Sequence, residues 1–139
     1  MEIKLARSKE EIAECFSVMS QLRTSLKQDS FVQQIESLQK EGYLLAVCKV
    51  ESQVTGVAGF KIMNSLSWQK YLYVHDLVVH CDRRSQGYGQ QLLQWLISHG
   101  KQQNCQQLHL DSGVQRFAAH RFYLQQYLEI KAYHFSLAL

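Results

Sequence analysis

The amino-acid sequence predicts a single α/β domain built around a mixed sheet. Strand-like runs, in which apolar residues alternate or are continuous, alternate along the chain with segments whose apolar residues recur at helical spacing. The chain has 139 residues, of which 46% are hydrophobic and 19% are charged. It is therefore long enough and apolar enough to bury one core.

The first predicted elements are a strand and two helices. Residues 2–6 alternate between polar and apolar side chains, which predicts a strand. Ser8 and Glu11 have the spacing of a capping box, so the first helix should begin directly after Ser8. Asp29 is expected to cap a second helix, which should end at Gly42.

An antiparallel hairpin is predicted next. Residues 43–50 and 54–63 have strand composition, and the polar residues 51–53 between them suit a tight turn. Gly56 and Gly59 would weaken the second strand, unless they mark a bulge or a closely bound ligand.

The remaining elements alternate between strands and helices. They are a central strand at 71–79, a helix at 87–99 followed by Gly100 as its terminator, a strand at 107–111, a helix at 115–126 and a closing strand at 131–139.

Charge and cysteine usage exclude several functional classes. The net charge of +3 comes from scattered basic residues, so no nucleic-acid interface is expected. No apolar run approaches the roughly 18 residues of a membrane span, and the charged N-terminus does not resemble a signal peptide. The four cysteines form no CxxC pair, and no histidines or cysteines have compact zinc-motif spacing. We therefore expect a cytoplasmic protein with free thiols and no metal, membrane or nucleic-acid partner.

The stretch 74–97 indicates a phosphate-binding site. An apolar strand leads through a short basic segment and two glycines, Gly87 and Gly89, into an apolar helix. The backbone N–H groups at a helix start lack partners within the helix, and the positive end of the helix dipole favours an anion there. The glycines let the backbone approach the anion closely, and Arg83 and Arg84 add positive charge.

Two sequence blocks resemble the GNAT acetyltransferase superfamily. Residues 84–89, RSQGYG, match the superfamily's R/Q-x-x-G-x-G/A signature, which binds the pyrophosphate of acetyl-CoA. Residues 116–123, RFAAHRFY, follow a strand-like segment and are similar to the superfamily's later helix, which often ends in a tyrosine near the CoA sulfur. The resemblance covers essentially the whole chain and implies a single N-acetyltransferase domain over residues 1–139.

The resemblance implies a GNAT-like fold, with a central, mixed and mostly antiparallel sheet flanked by about four helices. The fourth and fifth strands splay apart in such proteins, and CoA lies in the gap. Backbone groups of the fourth strand pair with the pantetheine there, and one N–H polarises the thioester carbonyl. By position, the residues that would hold acetyl-CoA through the backbone are Leu77, Val78, Val79, Gln86, Gly87, Tyr88, Gly89 and Gln90.

Two arginines extend this expected cofactor site. Arg84 is expected to help bind the pyrophosphate through its side chain or backbone. Arg116 occupies a position where relatives often have an asparagine that helps hold the cofactor. Two alternatives stay open for Arg116, since it either binds phosphate or faces solvent.

The resemblance makes Tyr123 the candidate general acid. A phenol with an ordinary pKa of about 10 can give a proton to a thiolate whose conjugate acid has a pKa of about 8.5. The alternative is structural, because the aromatic residues Phe117, Phe122, Tyr123 and Tyr127 could form one buried side of the helix.

His75 is the candidate general base. Many relatives have Glu-Asp just before the pantetheine-binding stretch of the fourth strand, and His75 and Asp76 stand there in this chain. A neutral imidazole can accept a proton from an incoming ammonium, whereas Asp76 could fill that role or attract a cationic acceptor. Strand alternation places the two side chains on opposite faces, so only one is expected to face the site.

The predicted reaction is transfer of the acetyl group of acetyl-CoA to a primary amine, by direct attack in a ternary complex. The resemblance implies that residues 26–31, 68–73 and Tyr133 surround the acceptor. These segments have few carboxylates, which favours a small-molecule amine over a polycation. A protein N-terminus or lysine remains an alternative acceptor, and an inactive acyl-CoA-binding sensor or scaffold is the alternative from another class. Dimers are common among similar proteins, which leaves a homodimer open.

Overall fold

A computed structural model describes the whole chain, residues 1–139, which divides into two compact units, Met1–His109 and Leu110–Leu139. The single domain expected over residues 1–139 stays a prediction. The strands are β1 (Glu2–Leu5), β2 (Leu44–Val50), β3 (Gln53–Ser65), β4 (Gln69–Val79) and β5 (Gln107–Leu110). The α-helices are α1 (Lys9–Glu14), α2 (Phe16–Leu22), α3 (Gln28–Lys40), α4 (Tyr88–Gln102) and α5 (Phe117–Gln125), with a short 3-10 helix at Cys81–Arg83.

The five strands form one mixed sheet in the order β1-β2-β3-β4-β5. The pairs β1–β2, β2–β3 and β3–β4 are antiparallel. Helix α4 joins β4 to β5, which is the crossover connection that parallel neighbours require. A hydrogen bond from the Gln106 N–H to the Lys70 carbonyl, 2.7 Å long, links the beginning of β5 to the beginning of β4. The predicted mixed, mostly antiparallel sheet is confirmed.

The helices of the first unit cover both faces of this sheet. On one face, Ile12, Val18 and Phe31 from α1, α2 and α3 pack with sheet residues that include Val57 and Val78. The other face is covered by α4, whose buried residues are Leu92, Leu93, Leu96 and Gly100. Burial of this apolar surface is the main stabilising contribution to the fold. None of the helices is long and apolar enough to cross a membrane.

The predicted capping box starts α1. Ser8 Oγ accepts from the Glu11 N–H, and a Glu11 carboxylate oxygen accepts from the Ser8 N–H, at 3.1 and 3.0 Å. The first helical segment then divides at Cys15, whose N–H donates to the Ile12 carbonyl at 3.0 Å. This hydrogen bond spans three residues, as in a 3-10 helix, instead of four. It tightens the turn, so α1 and α2 are two short helices instead of one.

The predicted cap of the next helix is wrong. Helix α3 begins at Gln28 with Lys27 as its N-cap, and no side chain caps it. Asp29 lies inside the first turn, where its carboxylate still faces the positive end of the helix dipole. The helix ends at Lys40, and Gly42 follows with a φ of +99°.

The predicted hairpin between β2 and β3 is confirmed. Its loop residues Glu51 and Ser52 have φ values of 52° and 64°, the left-handed backbone that a two-residue hairpin turn requires.

Gly100, in contrast, does not terminate α4. The helix continues to Gln102, and a Cβ at Gly100 would lie 3.5 Å from Leu72 Cδ1. Gly100 is buried where α4 packs against the sheet, and a Cβ there would make only an ordinary contact.

The predicted closing strand at 131–139 is also wrong. These residues have no regular secondary structure, and Tyr133, Phe135 and Leu137 are exposed. A strand needs a neighbouring strand to pair its backbone N–H and C=O groups, and alternation of side chains does not supply one.

Candidate active site

The end of β4 presents backbone groups away from β3. The His80 N–H donates to the Thr55 carbonyl at 2.8 Å, and Val78 is the register partner of Val57. In an antiparallel ladder, alternate residues direct their N–H and C=O groups to opposite edges of the strand. The backbone groups of Val78 therefore face β3, whereas those of Leu77 and Val79 point to the opposite edge.

A bulge interrupts β4 just before this segment. Asp76 pairs with Gly59 and Val74 pairs with Phe60, so His75 is an extra residue without a register partner. A bulge breaks the strict alternation of side chains. The register places both Asp76 and His75 on the face of the sheet that α1–α3 cover, so the prediction that they lie on opposite faces is wrong.

Asp76 accepts two side-chain hydrogen bonds. Its Oδ2 accepts from the Tyr43 hydroxyl at 2.8 Å, and its Oδ1 accepts from Arg23 Nε at 2.8 Å. Arg23 also donates from Nη2 to the His75 carbonyl at 2.9 Å, so one guanidinium spans both bulge residues. Only 14% of the Asp76 side chain is exposed. Both carboxylate oxygens are thus engaged, and Asp76 has little access to a substrate.

Gly59 makes this network sterically feasible. A Cβ at this position would lie 1.6 Å from the Tyr43 hydroxyl oxygen and 2.7 Å from Asp76 Oδ2. Glycine is therefore required where the Tyr43 ring crosses β3, which explains the glycine noted within this predicted strand. The alternative interpretation of Gly59 as the site of a bulge is also confirmed, because the register shifts between Gly59 and Phe60.

The electrostatic surroundings of the bulge keep its titratable groups neutral or well paired. Partial burial lowers the pKa of His75, and the charges of Lys61 and Arg23 lower it further, against an opposite effect from Asp76. The imidazole is therefore neutral at neutral pH and can accept a proton. Burial, and then the charge of Asp76, raise the pKa of Tyr43, so its hydroxyl stays protonated and donates to Asp76.

The predicted phosphate-binding loop lies between β4 and α4. Gly87 has a φ of +87°, a left-handed conformation that glycine adopts without strain, and it precedes the first residue of α4, Tyr88. The Gly87 carbonyl accepts from the Gln91 N–H at 3.0 Å, which is the first hydrogen bond of the helix ladder. The N–H groups of Tyr88, Gly89 and Gln90 precede that bond and have no partner within the helix.

Side chains in the segment before the loop hold it to the first unit. The Cys81 N–H donates to Gln21 Oε1 at 2.9 Å, which ties the loop to α2. His80 Nδ1, Cys81 Sγ and a carboxylate oxygen of Asp82 lie within 4.8 Å of one another. However, His80 Nδ1 already accepts from the Asp82 N–H at 3.1 Å and thereby caps the 3-10 helix. That cap accounts for the cluster, and the expected absence of a metal site stays a prediction.

The second unit carries the other two predicted site residues. Arg116 is the N-cap of α5, and Tyr123 lies on the same helix and is half-buried. Burial raises the pKa of Tyr123, while the charge of Arg116 acts in the opposite direction. The phenol therefore remains protonated at neutral pH, as a proton donor must. The alternative of a single buried aromatic side is wrong, because Phe117 and Tyr127 are 65% and 93% exposed.

The predicted site residues of the first unit follow one another along a single strand–loop–helix stretch, from His75 through Leu77–Val79 to Arg84–Gln90, and the fold adds Arg23 and Tyr43 to it. Arg23 and Tyr43 could not be predicted from the sequence as partners of Asp76, because they lie 53 and 33 residues from it along the chain. The one sequence signal for them was Gly59, a glycine within a strand.

A strand, a glycine turn and a helix N-terminus on a mixed sheet define a class of α/β domains suited to a phosphate-bearing ligand. Residues 8–127 match the acetyltransferase (GNAT) family, and the chain belongs to this family, as the sequence predicted. The chain is 35% identical over 124 residues to the uncharacterized N-acetyltransferase YhdJ of Bacillus subtilis (strain 168), a match that covers 88% of this chain and 87% of that protein.

Solved structures share the fold. A transcriptional regulator from Bacillus halodurans C-125 superposes with a TM-score of 0.87 at 19% identity, and the match covers 99% of both chains. A ribosomal-protein-alanine N-acetyltransferase from Brucella melitensis biovar Abortus 2308 gives a TM-score of 0.85 at 15% identity over 100% of both chains. Proteins of the GNAT family generally use acetyl-CoA as the acyl donor and amines as acceptors.

Proposed function

We propose that this protein transfers the acetyl group of acetyl-CoA to a primary amine of a small molecule, by direct attack in a ternary complex. The proposal rests on the direction of the backbone groups at the end of β4. There, the backbone groups of Leu77 and Val79 point away from β3, one loop before the uncapped N-terminus of α4. Extended pantetheine can pair with such an edge while the pyrophosphate binds at the helix start.

The loop supplies the groups that would bind pyrophosphate. We assign this role to the backbone N–H groups of Gln86, Gly87, Tyr88, Gly89 and Gln90. The exposed Arg84 supplies positive charge beside them. A cluster of N–H donors at a helix N-terminus favours an anion because the helix dipole adds to the hydrogen bonds. Arg116, at the N-terminus of α5, would supply a further positive charge for the cofactor.

The edge of β4 would orient and polarise the thioester. Leu77 and Val79 would pair with the pantetheine, with Val78 between them holding the strand to β3. One outward N–H at this edge would donate to the thioester carbonyl oxygen, and a donor of this kind typically contributes about 3 kcal/mol to transition-state stabilisation. Bound acetyl-CoA supplies the activated acetyl group and the thiolate leaving group.

We assign the proton transfers to His75 and Tyr123. The acceptor can attack only as a free amine, so an incoming ammonium must first lose a proton. His75 is exposed and neutral, so it can take this proton. Asp76 does not suit this role, because Tyr43 and Arg23 occupy both of its oxygens. Tyr123 would give its proton to the departing thiolate and would recover one from solvent.

Titration calorimetry with acetyl-CoA, for the wild type and for Gly87→Glu, tests the cofactor site. Gly42→Glu is the matched control, since both glycines are exposed, have positive φ values and would place a Cβ in open space. Both substitutions therefore carry a similar backbone strain, but only the one at Gly87 puts a carboxylate where pyrophosphate should bind. We expect Gly87→Glu alone to abolish binding.

Release of CoA in the presence of amines then separates the alternatives. Turnover with small amines supports the proposal, and turnover only with peptides would instead indicate a protein acceptor. Binding of acetyl-CoA with no turnover on any amine would indicate a sensor or scaffold. A wild type that binds neither acetyl-CoA nor CoA would contradict the proposed function altogether.

A further inference from the structure

The guanidinium of Arg23 keeps one edge available at the β4 bulge. Its hydrogen bonds to Asp76 and to the His75 carbonyl come from Nε and Nη2, which form one edge of the planar group. A guanidinium has five N–H donors, so three remain, including the Nη1–Nη2 edge, which matches the two oxygens of a carboxylate. The Arg23 side chain is 50% exposed, so a ligand can reach this edge.

The position of Arg23 is held firmly. Asp76 is fixed from its other side by the buried Tyr43, and the His75 carbonyl belongs to the strand backbone. An arginine that is already oriented loses little side-chain freedom when it binds a ligand, which favours binding. The two hydrogen bonds thus orient the guanidinium and leave its other edge available to a ligand.

The charge around the bulge also favours an anion. Lys61 and Arg23 act on His75 as positive charges, and Asp76 acts on it as a negative charge. These three charges sum to +1, and Asp76 is paired with Arg23 and only 14% exposed, so an approaching ligand meets mainly the positive groups. A second cationic group on the acceptor would be repelled here, whereas a carboxylate would be attracted.

The spacing suits a short acceptor. The Arg23 anchor at the His75 carbonyl lies two residues before Leu77 on the same strand. At roughly 3.3 Å per residue, the two points are about 7 Å apart along β4. An acceptor whose carboxylate binds Arg23 can therefore reach the thioester with an amine only a few covalent bonds away.

We propose that Arg23 binds the carboxylate of the acceptor, so that the substrate is an amino acid or a similarly short amine that carries a carboxylate. This inference rests on the proposed acetyl transfer and narrows its acceptor class. Arg23 is then a specificity-determining residue, and Asp76 and Tyr43 are positioning residues that hold it. An acceptor that arrives as an ammonium loses two protons from its nitrogen, the first to His75 before the attack and the second to solvent after it, and the carboxylate on Arg23 remains unchanged.

Matched acceptor pairs test this inference. Each pair consists of an amino acid and its carboxamide, for example β-alanine with β-alaninamide and glycine with glycinamide, and CoA release is measured at saturating acetyl-CoA. We expect kcat/KM to be about 10- to 100-fold higher for the acid, the range of one charge-assisted contact. The carboxamide has the less basic amine and more of it is neutral, so amine basicity alone would give the opposite preference.

Variants at Arg23 identify the residue responsible. Arg23→Gln should lower kcat/KM more for the acid than for the carboxamide, so that the preference for the acid is lost, and Arg23→Lys should retain part of the preference. Lys40→Gln is the control, since it removes an exposed positive charge at the far end of α3. Thermal unfolding of every variant reports whether the fold is retained.

The outcomes separate this inference from the function on which it rests. Equal kcat/KM for acids and carboxamides, or an equal loss for both in Arg23→Gln, would overturn the acceptor assignment while acetyl-CoA binding remained. If acetyl-CoA binds without turnover, calorimetry with β-alanine on the CoA-bound protein replaces kinetics, and binding that does not depend on Arg23 overturns the inference. A protein that does not bind acetyl-CoA refutes both.

Discussion

Gly59→Ala should destabilise the fold because its new methyl group would overlap the Tyr43 hydroxyl that donates to Asp76. The new methyl group would lie 1.6 Å from the Tyr43 hydroxyl oxygen and 2.2 Å from the ring carbon that bears it. The tyrosine ring is buried and 4% exposed, so it cannot move aside without disturbing the core that it shares with Ile12 and Val57.

Two contributions set the expected magnitude. Overpacking a well-packed core costs about 1–3 kcal/mol. Loss of a hydrogen bond to a charged group adds about 1.5–3 kcal/mol. Since displacement of the ring partly relieves the clash, the two do not add fully, and we expect a loss of about 2–5 kcal/mol in the free energy of unfolding.

Urea unfolding followed by far-UV circular dichroism measures this loss, and Gly56→Ala is the matched control. Gly56 lies on the same strand, but a Cβ there would be 3.3 Å from the Val78 carbonyl oxygen and 3.5 Å from Leu92 Cδ2, so the required shift is only a few tenths of an ångström. We expect Gly56→Ala to change stability by about 1 kcal/mol or less. A Gly59→Ala protein as stable as the control would refute the reasoning.

Two further predictions concern pH. Because the pKa of His75 is lowered from 6.5, kcat/KM should fall as pH decreases through a midpoint below 6.5. His75→Gln should remove this fall on the acidic side of the pH profile, whereas the control His134→Gln should not. A pH profile that His75→Gln leaves unchanged would exclude His75 as the base. Hydrogen bonds from Lys4, Ser8 and Arg7 lower the pKa of Glu11 from 4.5 to about 2, so its stabilising contribution is present above pH 4.5 and is lost as pH falls through about 2. Acid unfolding of Glu11→Gln should lack this component, and identical acid-unfolding curves for the variant and the wild type would show that the charge of Glu11 contributes nothing.

Most of the fold prediction rested on local sequence patterns. The Ser8–Glu11 capping box, the turn at Glu51 and Ser52, and the glycine turn before α4 all depend on residues within a few positions of one another, and the structure confirms each. The errors arose where a local signal had two interpretations. Glycine is a typical helix-terminating residue, but Gly100 lies within α4, where it is buried against Leu72.

The same distinction between short-range signals and long-range pairing applies to the candidate site. The RSQGYG segment could be located directly, because a helix N-terminus and its glycine turn are contiguous in sequence. The environment of His75 and Asp76 could not be predicted, because a strand was assumed to alternate and the bulge that brings both to one face depends on pairing with β3.

Short-range sequence patterns were sufficient to predict the family, the order of the strands and of most helices up to α5, and the position of the glycine loop before α4. The folded chain was needed to show that Asp76 is held by Tyr43 and Arg23, that Gly59 must be a glycine, and that residues 131–139 form no strand. Each of these depends on which distant residues meet, and the pairing partner of a strand or a carboxylate is a property of the folded chain.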